Sequence, residues 1–260
     1  MGRKDEYYNR SKQQGYRARS AYKLKQLDED ADLFDHGDTV VDLGAAPGGW
    51  LQVAAEAVGE TGTVVGVDLQ RIEAFDEHDV ETIRGDMTEE RTQHYLREAV
   101  GGGGADVVVS DMAPNMTGEY SLDHARSVHL ARQAFEVAEE LLAPGGDFVV
   151  KVFQGEDLDA FREDVGAEFE YVKTNSPPAS RDSSSEVYLV AKGLLTAPVE
   201  VGDQIEVTVE ERGEEGDGIA YVEGYSIFVP DTEPGDTVEV VVDDVKPRFG
   251  FAEQVDSGSE

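Results

Sequence analysis

The stretch TVVDLGAAPGGW, residues 39–50, decides the fold. TVVDL reads as a short buried strand, and VAAEAVG after Trp50 carries a helical pattern. Strand, glycine-rich turn and helix make the opening half of a nucleotide-binding βαβ unit. Glycine lets backbone N–H groups come close to a ligand, and the helix N-terminus adds partial positive charge. A tight strand-to-helix turn also asks for glycine on structural grounds alone, so the rest of the chain must decide.

Outward from this turn, apolar runs alternate with helical patterns. The candidate strands are TVVDL (39–43), TVVGVDL (63–69), ADVVVSD (105–111), GDFVVKVF (146–153) and EVYLVA (186–191). The segment SAYKLKQLDEDADLF reads as a helix with Ser20 as its N-cap. The longest helix is expected over 122–142, ended by the Pro144-Gly145-Gly146 turn. This alternation predicts an α/β fold with a Rossmann-like, doubly wound and mostly parallel sheet. The strand at 186–191 follows a loop and not a helix, so it can enter antiparallel. From about residue 195 period-2 stretches and frequent glycines replace helical patterns, which predicts a small C-terminal all-β barrel. The expected domains are 1–193, with a basic N-terminal arm, then 194–255, then a disordered tail at 256–260.

Composition limits the function. The chain holds 22 Lys+Arg against 56 Asp+Glu and has no cysteine, which excludes disulfides and thiol chemistry. A carboxylate excess of this kind keeps proteins soluble in concentrated salt and points to a halophilic source. The five histidines have no ligand spacing, so no metal is expected. No apolar run approaches the roughly 20 residues that span a bilayer, and the first residues carry no signal-peptide core; no membrane partner and a cytoplasmic location are expected. Residues 1–25 reverse the balance, with Arg3, Lys4, Arg10, Lys12, Arg17, Arg19, Lys23 and Lys25 against Asp5 and Glu6. A basic, tyrosine-containing arm on an acidic body favours nucleic acid over a merely solvated terminus.

Four acids fall where such sheets bind ligands, at or beyond the carboxyl ends of strands: Asp42, Asp68, Asp86 and Asp111. Asp68 is placed to accept hydrogen bonds from ribose hydroxyls, and Asp86 to read an adenine amine. The order G-A-A-P-G-G-W is neither a dinucleotide fingerprint nor a phosphate loop. A ribose acid without a phosphate cradle suits S-adenosylmethionine. Lys151 sits inside GDFVVKVF, on the face it shares with Val149 and Phe153, and a lysine there needs a partner. Glu186 likewise opens an apolar strand.

With these residues in view the chain resembles the FtsJ/RrmJ-type ribose 2′-O-methyltransferases. YKL with Lys23, DLGAAPGGW, VVVSDMAPN, VVKVFQGED and SRDSSSEVYLVA carry the likeness, in that order, over roughly residues 1–192. The resemblance implies a catalytic tetrad of Lys23, Asp111, Lys151 and Glu186, and cofactor contacts from Gly48, Trp50, Asp68, Asp86 and Asp111. The implied reaction is S-adenosylmethionine-dependent 2′-O-methylation of a uridine ribose in large-subunit (23S) ribosomal RNA, with that RNA, within the large subunit, as partner and no DNA. Lys151 is the candidate proton acceptor or the cation that steadies the alkoxide. The alternatives are a 2′-O-methyltransferase acting on transfer RNA and a non-catalytic RNA-binding ribosome-assembly factor. The last 60 or so residues are similar to a TRAM domain, a small RNA-binding barrel, although Arg212, Lys246 and Arg248 are its only Lys or Arg. Tyr221, Tyr225, Phe228 and Phe249 are its candidate stacking aromatics.

Overall fold

A computed structural model describes residues 4–75, 79–180, 184–195, 197–213, 216–223, 225–246 and 249–255. The tail at 256–260, Arg3, Arg248 and residues 181–183 of the SRDSSSEV motif lie outside them. The described chain forms two compact units, 1–194 and 195–260.

The first unit is built on a seven-stranded sheet. Its strands are β1 (Thr39–Leu43), β2 (Thr63–Asp68), β3 (Glu81–Arg84), β4 (Ala105–Ser110), β5 (Leu142–Phe153), β6 (Phe169–Asn175) and β7 (Glu186–Leu194). They lie in the order β3-β2-β1-β4-β5-β7-β6. The first five are parallel, and β7 runs antiparallel between β5 and β6. Valine-rich runs suit this position because both faces of a parallel sheet are covered. Among the described residues six α-helices accompany the strands: α1 (Lys4–Gln13), α2 (Ala21–Ala31), α3 (Gly49–Val58), α4 (Glu90–Val100), α5 (Tyr120–Leu141) and α6 (Leu158–Glu168). One apolar layer gathers Phe148, Val150 and Val152 with Leu96, Phe135 and Phe161 of α4, α5 and α6. The other joins Val149 and Val190 to Leu24, Leu27 and Leu51 of α2 and α3.

The turn between β1 and α3 is tightly packed. Gly44 (φ +79°) and Gly48 (φ +104°) both adopt the left-handed region. A Cβ on Gly44 would lie 2.1 Å from Met112 Cγ, and one on Gly48 would lie 2.8 Å from the Phe75 ring. Glycine at both positions is therefore a packing requirement as well as a conformational one.

Some boundaries differ from the sequence reading. The long helix spans Tyr120–Leu141 and Leu142 already pairs with Ala105 in the sheet; the Pro144-Gly145-Gly146 stretch bulges out of β5 between that pair and Val107–Asp147, with Gly145 at φ +82°. Ser20 does not cap α2 through its side chain; it has helical angles itself and makes no side-chain cap bond. Its carbonyl accepts Trp50 Nε1–H at 2.8 Å instead. α6 and β6 escape a periodicity reading. β6 (FEYVKTN) is a polar edge strand, held by its pairing with β7 and not by its own pattern.

The second unit is a closed five-stranded barrel in the order β10-β12-β11-β8-β9. Its strands are β8 (Gln204–Arg212), β9 (Gly218–Val222), β10 (Tyr225–Val229), β11 (Thr237–Val245) and β12 (Phe249–Gln254). Val207, Val209, Ile227, Val240 and Val242 fill its interior. Tyr225 is buried there, its hydroxyl donating to the Lys246 carbonyl at 2.6 Å, so it is a core residue and not a stacking platform. Phe228 and Phe249 do lie together, joined by Phe251, with ring centroids 5.5–5.6 Å apart.

Candidate active site

At the carboxyl end of the parallel strands the chain gathers four charges. Lys23 comes from α2, Asp111 follows β4, Lys151 is near the end of β5 and Glu186 starts β7. Because β7 runs antiparallel, its first residue arrives where the parallel strands finish. Lys151 Nζ donates to Asp111 Oδ1 at 2.8 Å and also to the Asp111 backbone carbonyl. Lys23 Nζ lies 2.7 Å from Glu186 Oε1 and 3.9 Å from Asp111 Oδ1. The two lysine side chains are only 6% and 10% exposed. Burying two amines this far from water is tolerated only because each has a carboxylate beside it.

Burial pushes the Glu186 carboxyl upward, but the Lys23 charge and its hydrogen bond outweigh that and hold it below the usual carboxylate range. Asp42, at the end of β1, is the opposite case. Complete burial drives its carboxyl well above the usual range, and the charges of Asp111 and Asp68 push it further. Its Oδ2 has no hydrogen-bond partner.

Tyr188 is a candidate site residue that sequence reasoning missed. It pairs with Lys151 in the sheet register, is fully buried, and its hydroxyl donates to Asp111 Oδ1 at 2.6 Å. Asp111 Oδ1 thus receives two short hydrogen bonds, one from each strand flanking the β5–β7 seam. Burial raises the Tyr188 phenol well above its ordinary pKa, with Asp111 and Glu186 adding to the effect, so it stays a donor. The available signal was positional: Tyr188 lies two residues beyond Glu186, on the same face of the strand.

Beside the tetrad a cavity of about 770 Å³ opens over the ends of β1, β2, β3 and β4. Gly44, Asp68, Asp86, Asp111 and Met112 line it. Asp68 accepts backbone N–H bonds from Ala46 (2.9 Å) and Gln70 (2.7 Å), which fix its carboxylate at the strand end. Asp86 accepts both the N–H and the hydroxyl of Thr88 through Oδ1. Gly48 and Trp50 are not among the described lining residues. Trp50 is buried with its ring 5.9 Å from that of Tyr188. Arg126 is the only Lys or Arg in the lining, against three carboxylates. Such a donor set fits a nucleoside that carries a positive charge and no phosphate. No group of three or more His, Asp or Glu among the described residues could hold a metal ion.

The basic arm is partly committed to the fold. Lys25 pairs with Glu56 at 2.9 Å, Arg19 donates to the Ala179 carbonyl at 2.6 Å, and Arg17 donates to the carbonyls of Glu73 and Ala74. Arg10 and Lys12 lie over the rings of Tyr22 and Tyr8 instead. No helix among the described residues is long and apolar enough to cross a membrane.

Comparison with known proteins agrees with this architecture. The family model for FtsJ-like methyltransferases matches residues 16–194, and that for the TRAM domain matches 198–255. A protein of Halorubrum lacusprofundi named ribosomal RNA large subunit methyltransferase E is 83% identical over 100% of this chain and 96% of its own length. One of the same name from Natronomonas pharaonis is 68% identical over 98% of this chain and 100% of its own. Their halophilic origin accords with the carboxylate-rich surface. The crystal structure of a Plasmodium falciparum protein described as a ribosomal RNA methyltransferase superposes with a TM-score of 0.64 at 26% identity, covering 70% of this chain and all of that one. With the sheet order, the charged tetrad and the family match in agreement, the chain belongs to the FtsJ-like methyltransferase family and carries a C-terminal TRAM domain.

Proposed function

We propose that this protein transfers a methyl group from S-adenosylmethionine to the 2′-oxygen of a uridine ribose in large-subunit ribosomal RNA. The observation that carries this reading is the Lys151 amine, held by two oxygens of one residue, Asp111, in a buried tetrad beside a carboxylate-lined cavity. S-adenosylmethionine, when bound, supplies an already activated methyl on a sulfonium.

The work left to the protein is therefore alignment and removal of one proton. An ammonium has three N–H donors. Asp111 takes two from Lys151. In the neutral amine the third position is a lone pair, which takes the 2′-hydroxyl proton, and the ammonium so formed balances the charge left on the ribose oxygen. Lys23, fixed by Glu186, keeps a second positive charge nearby and the site electrically balanced. Tyr188 fixes the carboxylate that fixes Lys151. Asp68 serves the ribose hydroxyls of the cofactor, Asp86 its adenine amine and Asp111 its methionine end. Gly48 and Trp50 act indirectly, by shaping the turn. In the barrel, the Phe228–Phe249–Phe251 cluster supports contact with RNA bases, because stacking needs no positive charge. The relatives named for large-subunit ribosomal RNA support that substrate over transfer RNA.

The test is methyl transfer from labelled S-adenosylmethionine, at high salt, to ribosomal subunits and transfer RNA from a strain lacking this protein, with the modified nucleoside identified by mass. A 2′-O-methyluridine in the large subunit supports the proposal. Label confined to transfer RNA moves the substrate, and cofactor binding without any transfer favours an assembly factor.

A further inference from the structure

A second, smaller cavity of about 350 Å³ has no part in the site so far described. It is lined by Met116, Tyr120, His124, Phe153 and Ser185, among others. Its place is telling. Phe153 is two residues beyond Lys151 on the same strand, and Ser185 directly precedes Glu186. The loop that begins at Asp111 contributes Met112–Asn115 to the larger cavity and Met116 to this one. The tetrad thus supplies neighbours to both cavities.

The walls are built, not incidental. Asp123 accepts the N–H of Thr117 (2.8 Å), the N–H of Gly118 (3.0 Å) and the Thr117 hydroxyl, which fixes the loop. Those bonds, led by the Thr117 N–H, hold its carboxyl below the usual range. His124 is buried and committed at both ring nitrogens. Nε2 accepts the Asp157 N–H at 3.1 Å, which leaves Nδ1 to donate to the Phe153 carbonyl at 3.0 Å. A Cβ on Gly155 would fall 2.4 Å from that ring, so the floor is closely packed. Above this rigid base two large apolar side chains stay open, Tyr120 at 62% and Met116 at 63% exposure. The Tyr120 hydroxyl donates to the Gln154 carbonyl at 2.6 Å, so the ring is anchored at its tip while its face remains bare.

A held aromatic face, a thioether, two serines, an acid and no Lys or Arg, with the His124 ring nitrogens already engaged, suit a flat, neutral, hydrogen-bonding ring and not a phosphate. The volume is near the lower end of ligand pockets, about 300–1,000 Å³. We propose that this cavity receives the base of the nucleotide whose ribose is methylated, stacked on Tyr120, so that its sugar is delivered to Lys151. The assignment rests on the ribose-methylation reading above. It makes Tyr120 a positioning residue for the substrate.

The test uses the full-length protein at high salt and large subunits from a strain lacking it. Tyr120→Ala is expected to lower kcat/KM about tenfold, within what loss of one base–aromatic stack removes. Tyr120→Phe, which keeps the ring and loses only the Gln154 bond, stays within about threefold. The Kd for S-adenosylmethionine is unchanged in both, and both melt near the wild-type temperature. Removing the target base, as an abasic nucleotide at that position in the subunit, is expected to abolish the Tyr120→Ala penalty, because no stack is then left to lose. The proposal is overturned if Tyr120→Ala is fully active, if Tyr120→Phe falls as far as Tyr120→Ala, or if the penalty persists without the base. A wild-type product other than a 2′-O-methylnucleoside would instead sink the reaction assignment itself.

Discussion

The guanidinium of Arg17 lies over the Phe75 ring, 3.6 Å from its centroid, while its nitrogens donate to the carbonyls of Glu73 and Ala74. A residue of the N-terminal arm is thereby tied to the segment that follows Asp68, directly above Gly48. Arg17→Ala should loosen that segment and weaken S-adenosylmethionine binding about fivefold, by calorimetry at high salt. Arg17→Lys should not restore it, because an ammonium cannot serve two carbonyls in a planar fork and stack at the same time.

Lys151→Ala is expected to abolish methyl transfer while the cofactor Kd changes less than about twofold. Tyr188→Phe removes one of the two donors that fix Asp111. Its kcat should fall about tenfold with KM for RNA nearly constant, because the missing bond sets geometry and not binding. A normal kcat in the Tyr188→Phe enzyme would show that Lys151 alone holds Asp111 in place.

The titration of Asp42 and Glu186 has opposite signs. Asp42 has a raised pKa in the folded state, so folding favours its protonated form. Stability drawn from this group is present below the unfolded value, near 3.9, and is lost as pH rises toward the folded pKa. Asp42→Asn removes that loss, so its stability relative to wild type should grow above pH ~4. Glu186 has a lowered pKa; its contribution is present above the unfolded value and disappears as pH falls through the folded one. Glu186→Gln should therefore be less stable than wild type at neutral pH and converge on it in acid. Urea melts across pH 3–8 at constant salt would reveal either trend, or its absence.

In the barrel, Phe228→Ala and Phe251→Ala should each weaken single-stranded RNA binding about tenfold in the full-length protein. The slope of log affinity against log salt should not change between wild type and these variants, because they remove stacking and not phosphate contacts. A change of slope by one or more would place charge, and not rings, at the contact.

With a net charge of −34, the chain should gain stability as salt rises. The melting temperature is expected to climb between about 0.1 and 1 M KCl, where the Debye length shrinks from ~10 to ~3 Å. A flat response would mean that the carboxylates are already neutralised by neighbours in the fold.

The strands, the glycine turn and the barrel were legible because each depends on local pattern: valine runs, left-handed positions, period-2 alternation. β6 was not, since its polar sequence becomes a strand only when β7 offers it hydrogen bonds. Tyr188 was hidden for a related reason. Its value comes from facing Lys151 across an antiparallel seam and touching Asp111, and neither relation is local in sequence. Ser20 misled in the other direction, because its side chain suited a cap while its carbonyl was taken by Trp50. The open ring of Tyr120 carried no sequence signal, as nothing in its own neighbourhood marks a bare aromatic face.

The antiparallel β7 makes competence and completion of the sheet a single event. While β7 is absent, Lys23 and Lys151 share one carboxylate, that of Asp111, and Asp111 lacks the phenol that steadies it. A slip of one residue in the register of β7 would turn Glu186 and Tyr188 to the opposite face. Fidelity of strand pairing is thus also fidelity of the charge balance around Lys23 and Lys151.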